Sequence, residues 1–122
     1  VIDDPRGVAG ARRLVVCTGK VYYDLAEAAP ADVAIVRVEQ LYPVPETELG
    51  AIFDRSPEAD LVWCQEEPEN MGAWGFLRDR LRRLSGREPR FVGRAASASP
   101  ATGSSARHQV EQESLVAEAL GG

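Results

Sequence analysis

Histidine, lysine and methionine occur once each in this chain of 122 residues, and cysteine twice. A single histidine, His108, cannot assemble a multi-histidine transition-metal site or a histidine proton relay. Cys17 and Cys64 lie far apart, each at the end of an apolar run and without a C-x-x-C pair. That pattern favours two buried thiols in a reducing compartment over a disulfide. No run approaches the roughly 18 apolar residues of a membrane helix. G-x-x-x-x-G-K-[ST], G-x-G-x-x-G and G-x-S-x-G are all missing, which excludes the standard nucleotide cradles and the serine elbow. Thr18-Gly19-Lys20 after a strand therefore reads as a capped turn, not a phosphate loop. Val1-Ile2-Asp3-Asp4-Pro5-Arg6 lacks both an initiator Met and the basic-then-apolar order of a signal peptide. The chain reads as a piece of something longer.

What is present suits one α/β domain. The hydrophobic share of 44% and charged share of 27% are ordinary for a globular protein. Residues 1–12 are polar and contain glycine, so they read as a linker from an upstream domain, with residues 13–122 as the domain itself. Leu14–Cys17, Asp32–Val38 and Leu61–Cys64 are near-continuous apolar runs, as strands covered on both faces would be. Arg90–Arg94 is a shorter fourth strand and a candidate for antiparallel pairing at an edge. Helical spacing links Val21, Leu25 and Ala28, then Leu49, Ile52 and Phe53, then Trp74, Leu77, Leu81 and Leu84. Thr18 is placed to cap the first of these helices and Pro45 to start the second. Residues 95–105 are a Ser/Ala/Pro/Gly loop, and a last helix covers about 106–120. Strand–helix alternation predicts a three-layer sandwich, with a mostly parallel sheet of four to five strands and helices on both faces.

The stretch after the third strand concentrates polar groups where open α/β sheets meet ligands and partners, at the strands' carboxyl ends. Gln65-Glu66-Glu67-Pro68-Glu69-Asn70-Met71-Gly72-Ala73-Trp74 joins the third strand to the third helix. Glu66, Glu67 and Glu69 lack the spacing of a metal cage, and carboxylates ahead of a helix are stabilised by its positive end. Asn70 can cap that helix or its preceding turn, and Gly72 permits a close approach. The loop suits a subunit or domain interface through Glu66, Glu67, Asn70, Gly72 and Trp74. His108 shares a helical face with Gln112, Leu115 and Ala119, the setting of a packed, hydrogen-bonded histidine.

The same stretch resembles the QEEPxNxGAW signature of the thiamine-diphosphate-dependent, decarboxylating component of 2-oxoglutarate dehydrogenase. Cys17–Leu25, Val33–Pro43 and Gly93–Gly103 agree in order, and His108 follows in place. The part matched is the C-terminal, transketolase-C-like domain of a far longer polypeptide. The resemblance implies a cytoplasmic bacterial enzyme that decarboxylates 2-oxoglutarate on thiamine diphosphate and Mg²⁺ and passes succinyl to a lipoyl acyltransferase. It implies association with dihydrolipoyl dehydrogenase, with the chain's own upstream domains and with a second copy as a homodimer. The cofactor site is expected outside this segment, leaving the domain structural and inactive alone. A net charge of −5 argues against nucleic acid as a partner, and no membrane partner is expected.

Thirteen of the fourteen basic residues are Arg, and seven of them lie between Arg78 and Arg94. Arg suits phosphate because its planar fork bonds bidentately. A free-standing nucleotide or acyl-CoA module, with Arg94 at a strand end as its anchor, is the alternative from a different class. The matching domain of pyruvate dehydrogenase or transketolase is a third.

Overall fold

A computed structural model describes residues 1–94 and 105–121. The Ala95–Gly103 part of the family-like motif lies outside them. The elements run β1 (Arg13–Cys17), α1 (Val21–Ala28), β2 (Val33–Arg37), α2 (Glu46–Asp54), β3 (Asp60–Pro68), α3 (Trp74–Ser85), β4 (Arg90–Arg94) and α4 (Ser105–Leu120).

The four strands form one sheet in the order β2-β1-β3-β4. Every pairing is parallel, with Val15 beside Ile35 and Val62, and Cys64 beside Val92. The expectation that the fourth strand pairs antiparallel is thus corrected. The twelve-residue α3 is a full crossover and returns the chain in the same direction. The one antiparallel contact among the described residues is the bridge from Ile2 to Arg37.

Continuous apolar runs in β1, β2 and β3 are explained by cover on both faces. On one face, Leu49 and Phe53 of α2 and Trp74, Leu77 and Leu81 of α3 pack on Leu14, Val16 and Trp63. On the other, Val21 and Leu25 of α1 and Leu115 and Ala119 of α4 pack on Val15, Cys17, Val62 and Cys64. Each fully buried Leu or Phe contributes about 1.5–3 kcal/mol. Thr18 does not cap α1, because the N-cap position falls on Lys20 and carries no side-chain bond. Gly19 at φ +80° makes the turn instead.

Arginines fasten helix ends to this frame. Arg13 donates to the Glu118 and Ala119 carbonyls at 3.3 and 3.1 Å, and Arg87 donates to those of Phe53, Ser56 and Ala59 at 3.0, 3.0 and 2.7 Å. Both supply positive charge where a helix exposes unsatisfied carbonyls. The first residues are built against β2 as well. Asp4 is buried and accepts from the Ile35 amide at 3.0 Å and from Arg6 at 2.8 Å. Burial opposes ionisation of Asp4, but the bonds from Arg6 and Ile35 outweigh it and hold the carboxyl below the usual carboxylate range.

Cys17 and Cys64 are register partners on adjacent strands and both are free thiols. Burial pushes the Cys17 thiol up to about 12, and burial, with Cys17 as neighbour, raises Cys64 as well. The neutral thiols therefore favour folding fully below the unfolded thiol pKa near 8.5, and that contribution is lost as pH rises toward the folded values. Denaturant titrations should show stability falling between about pH 8.5 and 11, with a smaller slope in Cys17→Ala. Two glycines give a second, opposed pair of outcomes. A Cβ at Gly93 would meet the Phe91 ring at 2.3 Å and the Glu67 carbonyl at 2.7 Å, whereas one at Gly50 in α2 meets nothing within 4 Å. Gly93→Ala should cost about 1–3 kcal/mol and Gly50→Ala should gain about 0.5–1 kcal/mol.

Candidate functional site

Strand order makes the carboxyl ends of β1 and β3 a switch point, since the chain leaves β1 toward β2 and returns past it to β3. The polar stretch sits there. β3 extends through Pro68, so the loop is shorter than the sequence pattern suggests. The β3–β4 register shifts between Cys64 and Pro68 while β4 advances only from Val92 to Arg94. Extra residues on one strand make a bulge, which re-aims side chains at a sheet's functional end.

Gln65 holds this bulge from inside. Its side chain is 1% exposed. Its Oε1 accepts from the Trp63 indole N–H at 2.9 Å. Its Nε2 donates to the carbonyls of Glu67, Pro68 and Met71 at 3.2, 2.8 and 2.7 Å. One orientation of the carboxamide serves all of these groups, its two Nε2 protons directed at the closer Pro68 and Met71 carbonyls and shared with the longer contact to Glu67, so the indole, the bulge and the following turn are fixed together. The Met71 amide closes the turn on the Pro68 carbonyl at 2.9 Å. Gly72 stands at φ +67°, and a Cβ there would lie 3.0 Å from Gln65 Oε1. Glycine is required at that position by both backbone conformation and space.

The interface residues expected from sequence divide into two groups. Glu67 and Asn70 are exposed and Glu66 is half-buried, so these are available at the edge. Trp74 is buried in the domain's own core, edge-on to Phe91 with centroids 5.4 Å apart. Asn70 does not cap α3, whose N-cap is Ala73 without a side-chain bond, and the first turn of α3 carries no acid. Glu67 and Glu69 face solvent, with Glu69 near enough to reinforce the Arg78 charge beyond the effect of its main partner, Glu88.

The arginine-rich segment is largely committed within the chain. Arg78 binds Glu88 at 2.7 Å and Arg82 binds Asp79 at 3.1 Å. Arg80 lies 4.0 Å above the Phe76 ring. Arg94 donates to Glu111 at 2.8 Å and Gln112 at 2.7 Å, with His108 Nδ1 at 3.5 Å. His108 is exposed beside it and does not pack into the core. A nucleotide or acyl-CoA phosphate at Arg94 would have to displace these partners. The shallow depression between α1 and α4 is rimmed by Asp24, Glu27 and Glu113, which repel anions. Among the described residues no three His, Cys, Asp or Glu side chains converge as a metal site needs. The donors here do not suit Mg²⁺–diphosphate. Among the described residues the arrangement is an ordered polar edge without a nucleophile–base pair.

Sequence reasoning missed two features. From sequence Gln65 is one more polar residue of the motif, whereas the fold makes it the loop's internal anchor. The signal was a polar residue two places after Trp63 on the same strand face. The contact of Tyr42 with Phe76, at 4.5 Å between centroids, joins segments far apart in sequence and left no periodic trace. Gln65→Leu should cost about 2–3 kcal/mol in denaturant unfolding, because it takes the partner from the buried Trp63 indole N–H and from the Met71 carbonyl. It should also speed proteolysis within residues 66–73. Glu67→Gln, on the exposed side of the same bulge, should stay within about 0.5 kcal/mol of the parent.

Comparison with known proteins agrees with the geometry. The profile of the family described as 2-oxoglutarate dehydrogenase C-terminal matches residues 1–120. The 2-oxoglutarate dehydrogenase E1 component of Azotobacter vinelandii is 44% identical, over 96% of this chain and 13% of the relative. Those of Brucella anthropi and Brucella ovis are also 44% identical, over 90% of this chain and 12% of each relative. The chain thus spans about one eighth of the relatives it matches. With a match over nearly its whole length and the Gln65–Trp74 loop in place, the chain belongs to the 2-oxoglutarate dehydrogenase C-terminal family.

Proposed function

We propose that this chain is the C-terminal structural unit of a thiamine-diphosphate-dependent 2-oxoglutarate dehydrogenase E1 component. The observation that carries the reading is the family match over residues 1–120. The whole enzyme decarboxylates 2-oxoglutarate and passes succinyl to a lipoyl acyltransferase, in a complex with dihydrolipoyl dehydrogenase. Thiamine diphosphate and Mg²⁺ bind outside this unit, in the upstream part. The unit's own contribution is mechanical. It stabilises the homodimer and supports the cofactor-bearing domains, and the rigid edge built on Gln65 gives those neighbours a fixed surface. Residues 1–12 join it to them while packing on its core and on β2, and residues 13–122 form the rest of it. The enzyme works in the bacterial cytoplasm, and among the described residues no helix is long and apolar enough to cross a membrane.

The source polypeptide carrying this segment should reduce ferricyanide in the presence of 2-oxoglutarate, thiamine diphosphate and Mg²⁺, and pyruvate should not substitute. The 122-residue chain alone should show no such turnover. A source polypeptide that folds and binds the cofactor yet ignores 2-oxoglutarate would refute the reading.

A further inference from the structure

One row of side chains crosses the sheet where β1 and β2 end. Arg37, Cys17, Cys64 and Val92 are register partners in turn, from β2 through β1 and β3 to β4. Side chains in one such row point to the same face, and both sulfurs lie in the core beneath α1 and α4. Cys17 and Cys64 are each 0% exposed and neither is in a disulfide. Neighbouring strands stand ~4.8 Å apart. That is close to two metal–thiolate bonds of ~2.3 Å laid end to end.

Arg37 supplies an independent observation at the head of the row. Its guanidinium is held in place by the Tyr22 and Tyr23 rings, each with its centroid at 5.4 Å, and by the Tyr23 hydroxyl at 3.3 Å. Its Nε–H is nevertheless buried and has no hydrogen-bond partner. A buried donor left unpaired is costly and marks a place where negative charge is wanted. Burial raises the Cys17 thiol, and the Arg37 charge acts against that rise, so the two groups sense one another. Neutral thiols make little use of this cation, and a neutral disulfide would make none. A pair of thiolates around a singly charged ion would carry one net negative charge beside it. Among the described residues no third Cys, His, Asp or Glu joins the pair, which excludes a zinc cage. Copper(I) differs, because it favours soft sulfur and accepts two thiolates in line.

We infer that Cys17 and Cys64 form a buried two-thiolate site for copper(I), with Arg37 as its counter-charge. On binding, both S–H bonds break, two Cu–S bonds form and two protons leave to solvent, with no change of oxidation state. The ion clamps β1 to β3 at the switch point, a property separate from the proposed function and independent of it. The test uses the full-length polypeptide under anaerobic conditions, with copper(I) supplied as its bicinchoninate complex. Trypsin releases Cys17 in residues 14–20 and Cys64 in residues 56–78, so alkylation of each is read by mass apart from any other cysteine. In moderate urea, iodoacetamide reaches these thiols only when the sheet opens. At free copper(I) ten times its Kd, alkylation of both should slow together by about tenfold, because binding suppresses the open state in that proportion. Cys17→Ala and Cys64→Ala should each retain one copper fewer per chain than the parent. Arg37→Gln should weaken retention by about tenfold, whereas Arg82→Gln, an exposed arginine on α3, should not change it. Slowing of neither thiol, or of only one, would overturn the site, and this measurement on the parent needs no variant to fold. Loss of copper in one cysteine variant but not the other would also overturn it, because a single thiolate would then be the ligand. Unchanged retention in Arg37→Gln would overturn the role of Arg37.

Discussion

The carboxamide of Gln65 is the interaction on which the carboxyl edge of this domain depends. It is buried between an indole N–H and three backbone carbonyls. Unpaired, each of those groups would cost about 1–3 kcal/mol. Its demands spread outward through neighbouring residues. A side chain at Gly72, besides opposing its φ of +67°, would crowd the carboxamide at 3.0 Å, and one at Gly93 would strike the Phe91 ring and the Glu67 carbonyl. Trp63 and Trp74 lie in the same core cluster beneath the loop. The loop is therefore continuous with the core and holds its shape without a partner.

The charged residues sort by what they neutralise. Arg13 and Arg87 complete helix ends, Arg6 closes around Asp4, and Arg94 ties β4 to α4. These uses leave much of the arginine charge of the chain neutralised within the fold. The bidentate geometry that suits guanidinium for phosphate also suits it for paired carbonyls and carboxylates. Here it is spent on the fold.

Much of the architecture was legible in the sequence because burial on both faces leaves continuous apolar runs and amphipathic helices leave a 3.6-residue period. β1, β2, α1 and α3 fell close to their expected places for that reason. What was not legible depends on neighbours in space. β3 outran its apolar run because its last residues pair with β4 across a bulge, and no local pattern encodes that partner. The direction of β4 is set by the α3 crossover and not by its own residues. Thr18 and Asn70 have the right chemistry for caps, yet their turns close through glycines at positive φ. Glu67 and Asn70 are exposed at the edge and Glu66 is half-buried there, while Trp74, also read from sequence as an interface residue, packs in the core beside Phe91. Aromatic rings between a loop and a helix serve either purpose, and only packing decides.

The central claim is that this chain functions as one end of a large dehydrogenase polypeptide. The mass of the native polypeptide, read with an antibody to this segment in lysate of the source cells, tests it most directly. Since 96% of the chain covers only 13% of a relative, the account predicts a band several times larger than 13.2 kDa, near eightfold. A single band at 13.2 kDa would contradict it, because a free-standing domain would have no upstream part to support.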